Sequence, residues 1–367
     1  VPADTAQNKK DKGMTLIDEA RRVREGEELD VAVVDGYLKA QLPDLQGTPE
    51  VRQFPGGASN LTYLIRYDNR ELILRRPPFG KKAKGAHDMV REARIMQALK
   101  PVYPYVPDVL AVCQDPAIMD CDFYVMQRLV GVIPRQDFPE ELLLTPDKTR
   151  ALCKSVIDRL IELHKVDVKA AGLESLGKGE GYVARQISGW SERFRNARTP
   201  DVGDFESVMA WLEAKKPTGE VAITLIHNDY RFDNVVLDPE SLNVIGVLDW
   251  EMATLGDPLM DLGSTLAYWV QGDDDPVFQM MRRQPTNAAG MMSRDEVIAY
   301  YGEKTGWKVD NFDFYLVYGL FRLAGIAQQI WYRYYHKQTT NPAYAQFGPM
   351  VNYLEQRCLA LIRKSAL

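Results

Sequence analysis

The spacing of apolar residues changes near residue 130 of this chain. Before that point, short apolar runs alternate with turn-forming residues, as in β-strands. Two stretches have helical spacing, VAVVDGYLKAQ after the capping residue Asp30 and residues 86–100. We predict a five-stranded antiparallel sheet with one main helix, residues 86–100, beside it. The predicted strands are VRQF, LTYLIRY, ELILRR, VLAVC and FYVMQRLV.

Beyond residue 130, long amphipathic helices replace the strands, and one β-hairpin interrupts them. A small sheet lobe followed by a larger, mostly helical lobe predicts a two-lobed α+β fold. The predicted division is a mobile N-terminal arm at 1–29, a first lobe at 30–129 and a second lobe at 130–367. The predicted helices cover residues 147–166, 182–198, 204–216, 259–270, 294–305, 311–337 and 342–363.

Composition narrows the possible partners. The chain has 367 residues and a net charge of -6, which is the wrong sign for binding nucleic acid through its phosphates. No apolar run approaches the roughly 20 residues of a membrane span, so we expect no membrane partner. The scattered cysteines suggest a reducing compartment, and we expect a cytoplasmic protein of unknown oligomeric state. These cysteines are Cys113, Cys121, Cys153 and Cys358.

The segment from residue 224 to residue 263 contains the most informative motif. It holds His227, Asp229 and Asn234, followed by the runs NVVL and VIGVL around the turn DPESLN, and then by Asp249. If the two runs pair as a hairpin about this turn, Asn234 opens one strand and Asp249 ends its partner. Both side chains then lie at the same end of the hairpin.

An amide oxygen and a carboxylate at one end of a hairpin suit Mg²⁺ that also holds phosphates. Asp229 is placed to orient or deprotonate an acceptor hydroxyl, and Arg231 to neutralise charge on a transferring phosphoryl group. One alternative is a hairpin whose Asp and Asn only cap turns. Another is a metal-dependent hydrolase built on His227 and Asp229, which lacks the further ligands of such sites.

HNDYRFDN, LDWE and GDPLMDLG together resemble the aminoglycoside phosphotransferase and choline kinase-like family, which has a protein-kinase-like fold. The similarity covers about residues 30–363 and is greatest to the branch of kinase-like domains fused to some acyl-CoA dehydrogenases. It implies that ATP binds between a nucleotide-binding first lobe and a catalytic, acceptor-binding second lobe. It also implies that Asp229 is catalytic and that Asn234 and Asp249 are metal ligands.

Two further segments are candidates for nucleotide binding. Small residues in the turn PGGASN let backbone amides approach the phosphates. The segment MQRL is similar to the family's connection between the lobes, where backbone groups hold adenine; the alternative is a simple strand end. The candidate residues are Gly56, Gly57, Ser59 and Asn60 in the turn, and Gln127 and Leu129 in the connection.

Alternation along ELILRR places Ile73 and Arg75 on one face of the strand and Arg76 on the other. On the following helix, Glu92 falls within the apolar stripe, so its carboxylate needs a cationic partner. We predict an Arg75–Glu92 pair in which Arg75 contacts phosphate. Kinases use Lys here, and this departure is the feature that favours a nucleotide-binding pseudokinase.

Residues around the motif are predicted to support it. His227 is expected to hold the loop, and Asp257 to cap a helix that begins with proline. Asp261 is similar to a family residue that supports the catalytic loop. His164, at a helix end in ELHKVD, is predicted to be a cap rather than a ligand.

These features predict an ATP- and Mg²⁺-dependent phosphotransferase that acts on the hydroxyl of a small molecule. Two helices expected beside the acceptor are basic and aromatic within an acidic protein, which favours an anionic acceptor with an apolar part, such as a hydroxyacyl-CoA or a hydroxy acid. The alternatives are an aminoglycoside or choline-like kinase, or a pseudokinase. The basic residues are Arg185, Arg193, Arg195, Arg198, Arg322, Arg333 and Lys337.

Overall fold

The computed structural model describes residues 17–55, 60–79 and 88–367, and its first five strands form one antiparallel sheet in the order β1-β2-β3-β5-β4. Each predicted strand is present within a few residues, so the predicted sheet is confirmed. The strands are β1 (Glu50–Gln53), β2 (Leu61–Arg66), β3 (Glu71–Arg76), β4 (Val109–Cys113) and β5 (Phe123–Gln127).

Two helices complete this sheet. Helix α1 (Val31–Gln41) begins where the Asp30 carboxylate accepts a hydrogen bond from the Val33 amide, and it contributes Val34 and Leu38 to the core. Helix α2 (Met89–Leu99) has Asp88 as its N-cap and packs against β4 and β5. The apolar stripe predicted for this helix is buried.

The predicted mobile arm at 1–29 is wrong for its described part. The backbone of Arg21 pairs with that of Gln53 through hydrogen bonds of 2.7 and 2.8 Å, and the Tyr63 hydroxyl donates to the Glu27 carbonyl. β1 is an edge strand with unpaired backbone groups, which this segment covers. Such backbone pairing needs no apolar pattern, so periodicity could not predict it. Residues 1–16 lie outside the described residues.

Helices dominate after residue 133. Among the described residues, one short helix, α7, was not predicted, and neither was the antiparallel pair β6 (Thr224–Ile226) with β9 (Thr254–Gly256). The helices are α3 (Pro146–His164), α4 (Tyr182–Asn196), α5 (Glu206–Lys215), α6 (Pro258–Ala267), α7 (Pro276–Met281), α8 (Arg294–Thr305), α9 (Asp313–Tyr335) and α10 (Phe347–Lys364).

Helix α9 packs against α4, α5, α6 and α10. Its approach to α6 requires glycine on both helices: a Cβ on Gly263 would overlap the Tyr315 carbonyl, and a Cβ on Gly319 would overlap the Gly263 carbonyl. The two backbones are therefore in direct contact. None of the helices in the described part of the chain has both the length and the apolar character of a membrane span.

The predicted hairpin is confirmed as β7 (Val235–Leu237) and β8 (Val244–Val247), paired antiparallel with Val235 opposite Val247. The hairpin forms backbone hydrogen bonds with residues of the first 133 positions, although helices of the later part of the chain flank it in sequence. Leu237 forms a β-bridge with Val132, and the Val247 amide donates to the Tyr105 carbonyl at 2.7 Å.

The chain accordingly divides into two compact units. Unit 1 runs to Ile133 and takes in Asn234–Glu251, and unit 2 comprises Pro134–Asp233 and Met252–Leu367. The predicted second lobe, residues 130–367, differs from unit 2 by this hairpin, because backbone hydrogen bonds between distant segments decide its membership. The predicted roles of a nucleotide-binding lobe and a catalytic, acceptor-binding lobe stay predictions.

Candidate active site

Unit 1 contains a buried cluster around Arg75. One guanidinium nitrogen lies 3.2 Å from Glu92 Oε1 and the other lies 3.2 Å from Asp249 Oδ1. The predicted Arg75–Glu92 pair is therefore present. The contact with Asp249 was not predicted, because strand alternation gives the face of Arg75 but not the loop that reaches it.

Burial has a large electrostatic effect in this cluster. Glu92 is only 1% exposed, and this burial raises its pKa to about 7, although Arg75 lowers it. Burial lowers the pKa of Arg75, but Glu92, Tyr124 and Asp249 together raise it well above its ordinary value. Arg75 is therefore a permanently charged group held by two carboxyl groups.

Within the described part of the chain, three buried polar atoms of the cluster have no hydrogen-bond partner: Arg75 Nε, Glu92 Oε2 and the Tyr124 hydroxyl. Unsatisfied buried polar atoms are costly and call for an explanation. A donor left on a charged guanidinium is the kind of group that binds a phosphate oxygen. The residues of unit 1 thus fit a nucleotide.

Asn234 and Asp249 lie at one end of the hairpin, as predicted. The Leu248 amide donates to the Asn234 carbonyl at 2.8 Å, which extends the β7–β8 pairing to the residue before Asp249. The amide of Trp250, the residue after Asp249, donates to Glu92 Oε1 at 3.2 Å. An amide oxygen and a carboxylate here are ligands suited to Mg²⁺, which takes its other ligands from phosphate and water.

Asp249 has a positive φ of 66°, which is unusual for a residue with a side chain. Strained backbone of this kind concentrates at functional sites. The strain supports a functional role for Asp249 beyond capping a turn, whereas its role as a metal ligand stays a prediction.

The other nucleotide-binding candidates of unit 1 are placed as follows. Gly56, Gly57 and Ser59 lie outside the described residues. Asn60 is buried and its side-chain amide donates to Glu251 Oε2 at 2.9 Å. Sequence reasoning did not single out Glu251, although it stands beside Asp249 in the LDWE motif.

Gln127 ends strand β5, where its amide donates to the Asp108 carbonyl at 2.8 Å. Leu129 packs closely on Gly246 of the hairpin, where any Cβ would overlap the leucine side chain. The contact explains why residue 246 is glycine. Adenine binding by this segment stays a prediction.

In unit 2, the loop after β6 carries the predicted catalytic residue. The carboxylate of Asp261 on α6 accepts hydrogen bonds from the backbone amides of His227 and Asn228, both at 2.8 Å. The supporting role implied for Asp261 is present in the structure. The His227 ring is fully buried, and its Nδ1 accepts from the Asp229 amide at 3.2 Å, so His227 holds the loop as predicted.

His164 differs from its prediction as a helix cap. Its ring is buried, with Nε2 3.0 Å from Asp261 Oδ2 and Nδ1 2.6 Å from the Tyr301 hydroxyl. It lies at the end of α3, but its ring points to Asp261 rather than to the last carbonyls of the helix. Burial raises the pKa of Asp261, and its bonds to His164 and to the loop bring it below its ordinary value.

Asp229 is about one quarter exposed, and Arg231 lies beside it. Arg231 Nε is 3.4 Å from Asp229 Oδ1 and 3.2 Å from Asp233 Oδ1, and the guanidinium lies 4.8 Å from the centre of the Tyr268 ring. The structure therefore brings both predicted catalytic residues together. Their roles in phosphoryl transfer stay predictions.

A cavity of about 860 Å³ has Arg231 and Asp233 among its lining residues. Side chains of α6, α7, α9 and α10 form its walls, and these are mainly apolar. Sequence reasoning missed the cavity because most of its apolar residues lie on helices, where the pattern shows a buried face but not a cavity. Its apolar lining includes Met280, Met281, Ile326, Ile330, Phe347 and Met350.

Several of the predicted acceptor-binding cations are engaged elsewhere. Arg195 and Arg198 both pair with Glu206 on the surface, and Arg185 donates to backbone carbonyls. In contrast, Arg322 is buried. Arg283 lies at the cavity, is exposed, and makes no ion pair or hydrogen bond with any described residue.

The comparisons with known proteins agree with this geometry. Residues 50–296 match the model of the phosphotransferase enzyme family (APH). The chain is 34% identical over 339 residues to acyl-CoA dehydrogenase family member 10 of Mus musculus, covering 92% of this chain but 31% of that relative. The chain thus spans about a third of that protein.

Solved structures show the same fold. A crystal structure from Ralstonia eutropha, provisionally named an aminoglycoside phosphotransferase, is 26% identical with a TM-score of 0.79, covering 93% of this chain and all of that one. Choline kinase from Cryptosporidium parvum is 12% identical with a TM-score of 0.62, covering 91% of this chain and 96% of that one.

These matches define the class of protein. The predicted two-lobed, protein-kinase-like α+β fold is confirmed. The chain belongs to the phosphotransferase enzyme family, and the predicted class of enzyme, a small-molecule phosphotransferase, is confirmed with it.

Proposed function

We propose that the protein uses ATP and Mg²⁺ to phosphorylate the hydroxyl of an amphipathic acceptor, a hydroxyacyl thioester or the related hydroxy acid. Unit 1 holds the nucleotide through Arg75 and the glycine-containing segment at residues 56–60. Mg²⁺ held by Asn234 and Asp249 would neutralise charge on the phosphates. Unit 2 supplies Asp229 and the acceptor site.

In this reaction the acceptor oxygen forms a bond to the γ-phosphorus as the bond from that phosphorus to the bridging oxygen breaks, which releases ADP. Asp229 orients the hydroxyl and accepts its proton. Arg231 supplies positive charge beside Asp229 for the transferring group. No covalent enzyme intermediate is needed.

The apolar cavity is the observation that favours an acceptor with an alkyl chain. Its lining includes Arg231 and Asp233, which are near Asp229 in sequence, together with methionine, isoleucine and phenylalanine side chains. An alkyl chain gains free energy there in proportion to the apolar area it buries, whereas a polycationic sugar loses hydration without compensation. The exposed Arg283 is available for a carboxylate or phosphate on the acceptor.

Two alternatives remain outcomes of the test. An aminoglycoside or choline-like acceptor calls for carboxylates or aromatic cages, but Asp233, the cavity's carboxylate, is paired with Arg231. A pseudokinase is favoured by Arg75 in place of lysine, but Asp229, Asn234 and Asp249 are all present.

A cytoplasmic location is part of this proposal. Cys113, Cys153 and Cys358 are buried free thiols, as is usual in a reducing compartment.

The test is ATP consumption with Mg²⁺ over a panel of acceptors: kanamycin, choline, and hydroxy acids of increasing chain length as free acids and CoA thioesters. We expect turnover of the hydroxyacyl compounds, with kcat/KM rising with chain length. Phosphorylation of kanamycin or choline without turnover of any hydroxyacyl compound would contradict the proposal. Nucleotide binding without any turnover would identify a pseudokinase.

A matched pair of variants tests the cavity itself. Ile330→Asp places a carboxylate in the apolar wall, and we expect the KM for long-chain acceptors to rise at least about tenfold. Gln329→Asp makes the equivalent change in charge on the neighbouring residue of α9, which does not line the cavity. Equal effects of the two substitutions would show that the acceptor binds elsewhere.

A further inference from the structure

Arg322 on α9 is a buried cation without a buried anion beside it. Arg322 is 5% exposed, and it makes no ion pair with any described residue. Its guanidinium lies 5.6 Å from the centre of the Trp190 ring. A buried charge costs free energy unless hydrogen bonds compensate it, so the bond that Arg322 does make is informative.

That bond goes to the catalytic loop. The Arg322 guanidinium donates to the carbonyl of Asn228 at 2.8 Å. The same peptide group continues into the amide of Asp229, which donates to His227 Nδ1 at 3.2 Å. Both polar atoms of the peptide between Asn228 and Asp229 are therefore fixed, and this peptide sets the direction in which the Asp229 side chain leaves the backbone.

The fixed peptide follows a strained residue. Asn228 has a positive φ of 65°, a conformation that costs most residues with a side chain roughly 1–2 kcal/mol and that asparagine adopts more readily than they do. Its amide is held by Asp261 at 2.8 Å, so Asp261 and Arg322 hold the two ends of one residue. Strain of this kind persists only where the surroundings enforce it.

The two helices that supply these groups cannot shift independently. Gly263 of α6 and Gly319 of α9 bring the helix backbones into direct contact. Asp261 lies two residues before the first glycine, and Arg322 lies one turn after the second. The spacing between the two groups is therefore set by backbone packing.

The pKa shift of Arg322 agrees with its position near Asp229. Burial lowers the pKa of Arg322, whereas Tyr318, Tyr268 and Asp229 raise it, and the net shift is upward. Arg322 is thus charged at every physiological pH.

We infer that Arg322 is a positioning residue, which fixes the peptide between Asn228 and Asp229 and thereby aims the Asp229 carboxylate at the acceptor hydroxyl. This inference rests on the proposed function, in which Asp229 acts on that hydroxyl. Arg322 acts through the loop and does not itself bind the acceptor.

The test compares Arg322→Met, Arg322→Lys and the control Gln328→Met. Gln328 is another fully buried polar residue of α9, and it donates to the Ala197 carbonyl and to Thr199, away from the loop. With the best acceptor of the panel, Arg322→Met should lower kcat by about tenfold to a hundredfold, because small misplacements of catalytic groups have effects of that size. Acceptor KM and nucleotide affinity should change less than about threefold.

Arg322→Lys keeps a donor and should retain most of the kcat, which also guards against a methionine variant that fails to fold. Gln328→Met should lower thermal stability without changing kcat per folded molecule. An unchanged kcat in Arg322→Met, a lysine variant no better than methionine, or an increase in acceptor KM at constant kcat would each overturn the inference; the last result would mean direct binding of the acceptor.

Hydrogen–deuterium exchange gives a readout that needs no activity. We expect faster amide exchange in residues 227–234 of Arg322→Met than in wild type or Gln328→Met. If the wild-type protein phosphorylates nothing, the proposed function fails, yet this exchange experiment still tests whether Arg322 holds the loop. Unchanged exchange in Arg322→Met would overturn the inference irrespective of activity.

Discussion

Asn228 in unit 2 and Asp249 in unit 1 both have left-handed backbone, with φ values of 65° and 66°. Their surroundings differ. The polar groups of Asn228 are hydrogen-bonded: its amide to Asp261, its carbonyl to Arg322, and its side chain to the Met252 carbonyl.

Around Asp249 the bonding is incomplete. Its carboxylate contacts Arg75, and among the described residues neither Arg75 Nε nor Glu92 Oε2 has a hydrogen-bond partner. Asn228 is thus held by hydrogen bonds without any ligand, whereas the cluster around Asp249 leaves polar atoms for one. Phosphoryl transfer requires a preorganised catalytic group and a bound nucleotide, and under the proposed function unit 2 supplies the first and unit 1 binds the second.

The largest effect is expected from Asp229→Asn. Under the proposed function the carboxylate acts on the acceptor hydroxyl, so kcat should fall at least about a hundredfold. Nucleotide affinity should stay nearly unchanged, since the proposed nucleotide contacts are in unit 1. Steady-state kinetics and a nucleotide titration check both points, and unchanged turnover would end the catalytic assignment.

Asp261→Asn removes the acceptor that completes the loop of unit 2. The asparagine side chain has one acceptor oxygen, whereas the carboxylate of Asp261 has two. A buried backbone amide or the His164 ring therefore loses its partner, and the free energy of unfolding should fall by about 2–4 kcal/mol. Urea unfolding of wild type and variant at pH 7 measures this. A change below about 0.5 kcal/mol would show that water replaces the carboxylate without cost.

The same pair of proteins gives a pH test. The folded-state pKa of Asp261 is below its ordinary value. Its stabilising effect is therefore complete above the unfolded-state pKa of about 3.9 and is lost as the pH falls through the lower folded-state value. The stability difference between wild type and Asp261→Asn should shrink below about pH 4, and a difference that is constant with pH would contradict this cause.

Asp249→Asn tests whether the cluster around Arg75 in unit 1 binds a Mg²⁺–nucleotide complex. A hard cation loses a charged oxygen, so affinity for the Mg²⁺–nucleotide complex should fall at least about tenfold. Binding of nucleotide without metal should change little, which makes the metal-free titration the internal control. Equal Mg²⁺ dependence in variant and wild type would remove Asp249 from the metal site.

The smallest effect is expected from the strained residues themselves. Glycine adopts a positive φ without cost, so Asn228→Gly should be more stable than Asn228→Ala by about 1 kcal/mol. Asp249→Gly and Asp249→Ala should differ in the same direction. Thermal unfolding of the four variants measures both differences, and alanine equal to glycine at either position would show that the backbone relaxes there.

The sequence predicted much of this protein from local patterns. Alternation gave the five strands and the face of Arg75, helical spacing put Glu92 in a buried stripe, and turn chemistry gave the hairpin that brings Asn234 and Asp249 to one end. These predictions succeeded because each depends on the period of a strand or a helix, or on a turn a few residues long.

Tertiary structure alone decided which of those faces meet. The contact of Arg75 with Asp249, the bond from Arg322 to Asn228, the pairing of Arg21 with Gln53 and the apolar cavity of unit 2 join segments far apart in the chain. A periodic pattern shows that a face is buried but does not name the face that covers it, since many partners satisfy the same burial. The sequence therefore determined the elements and the catalytic motif, while packing between distant elements determined how that motif is held.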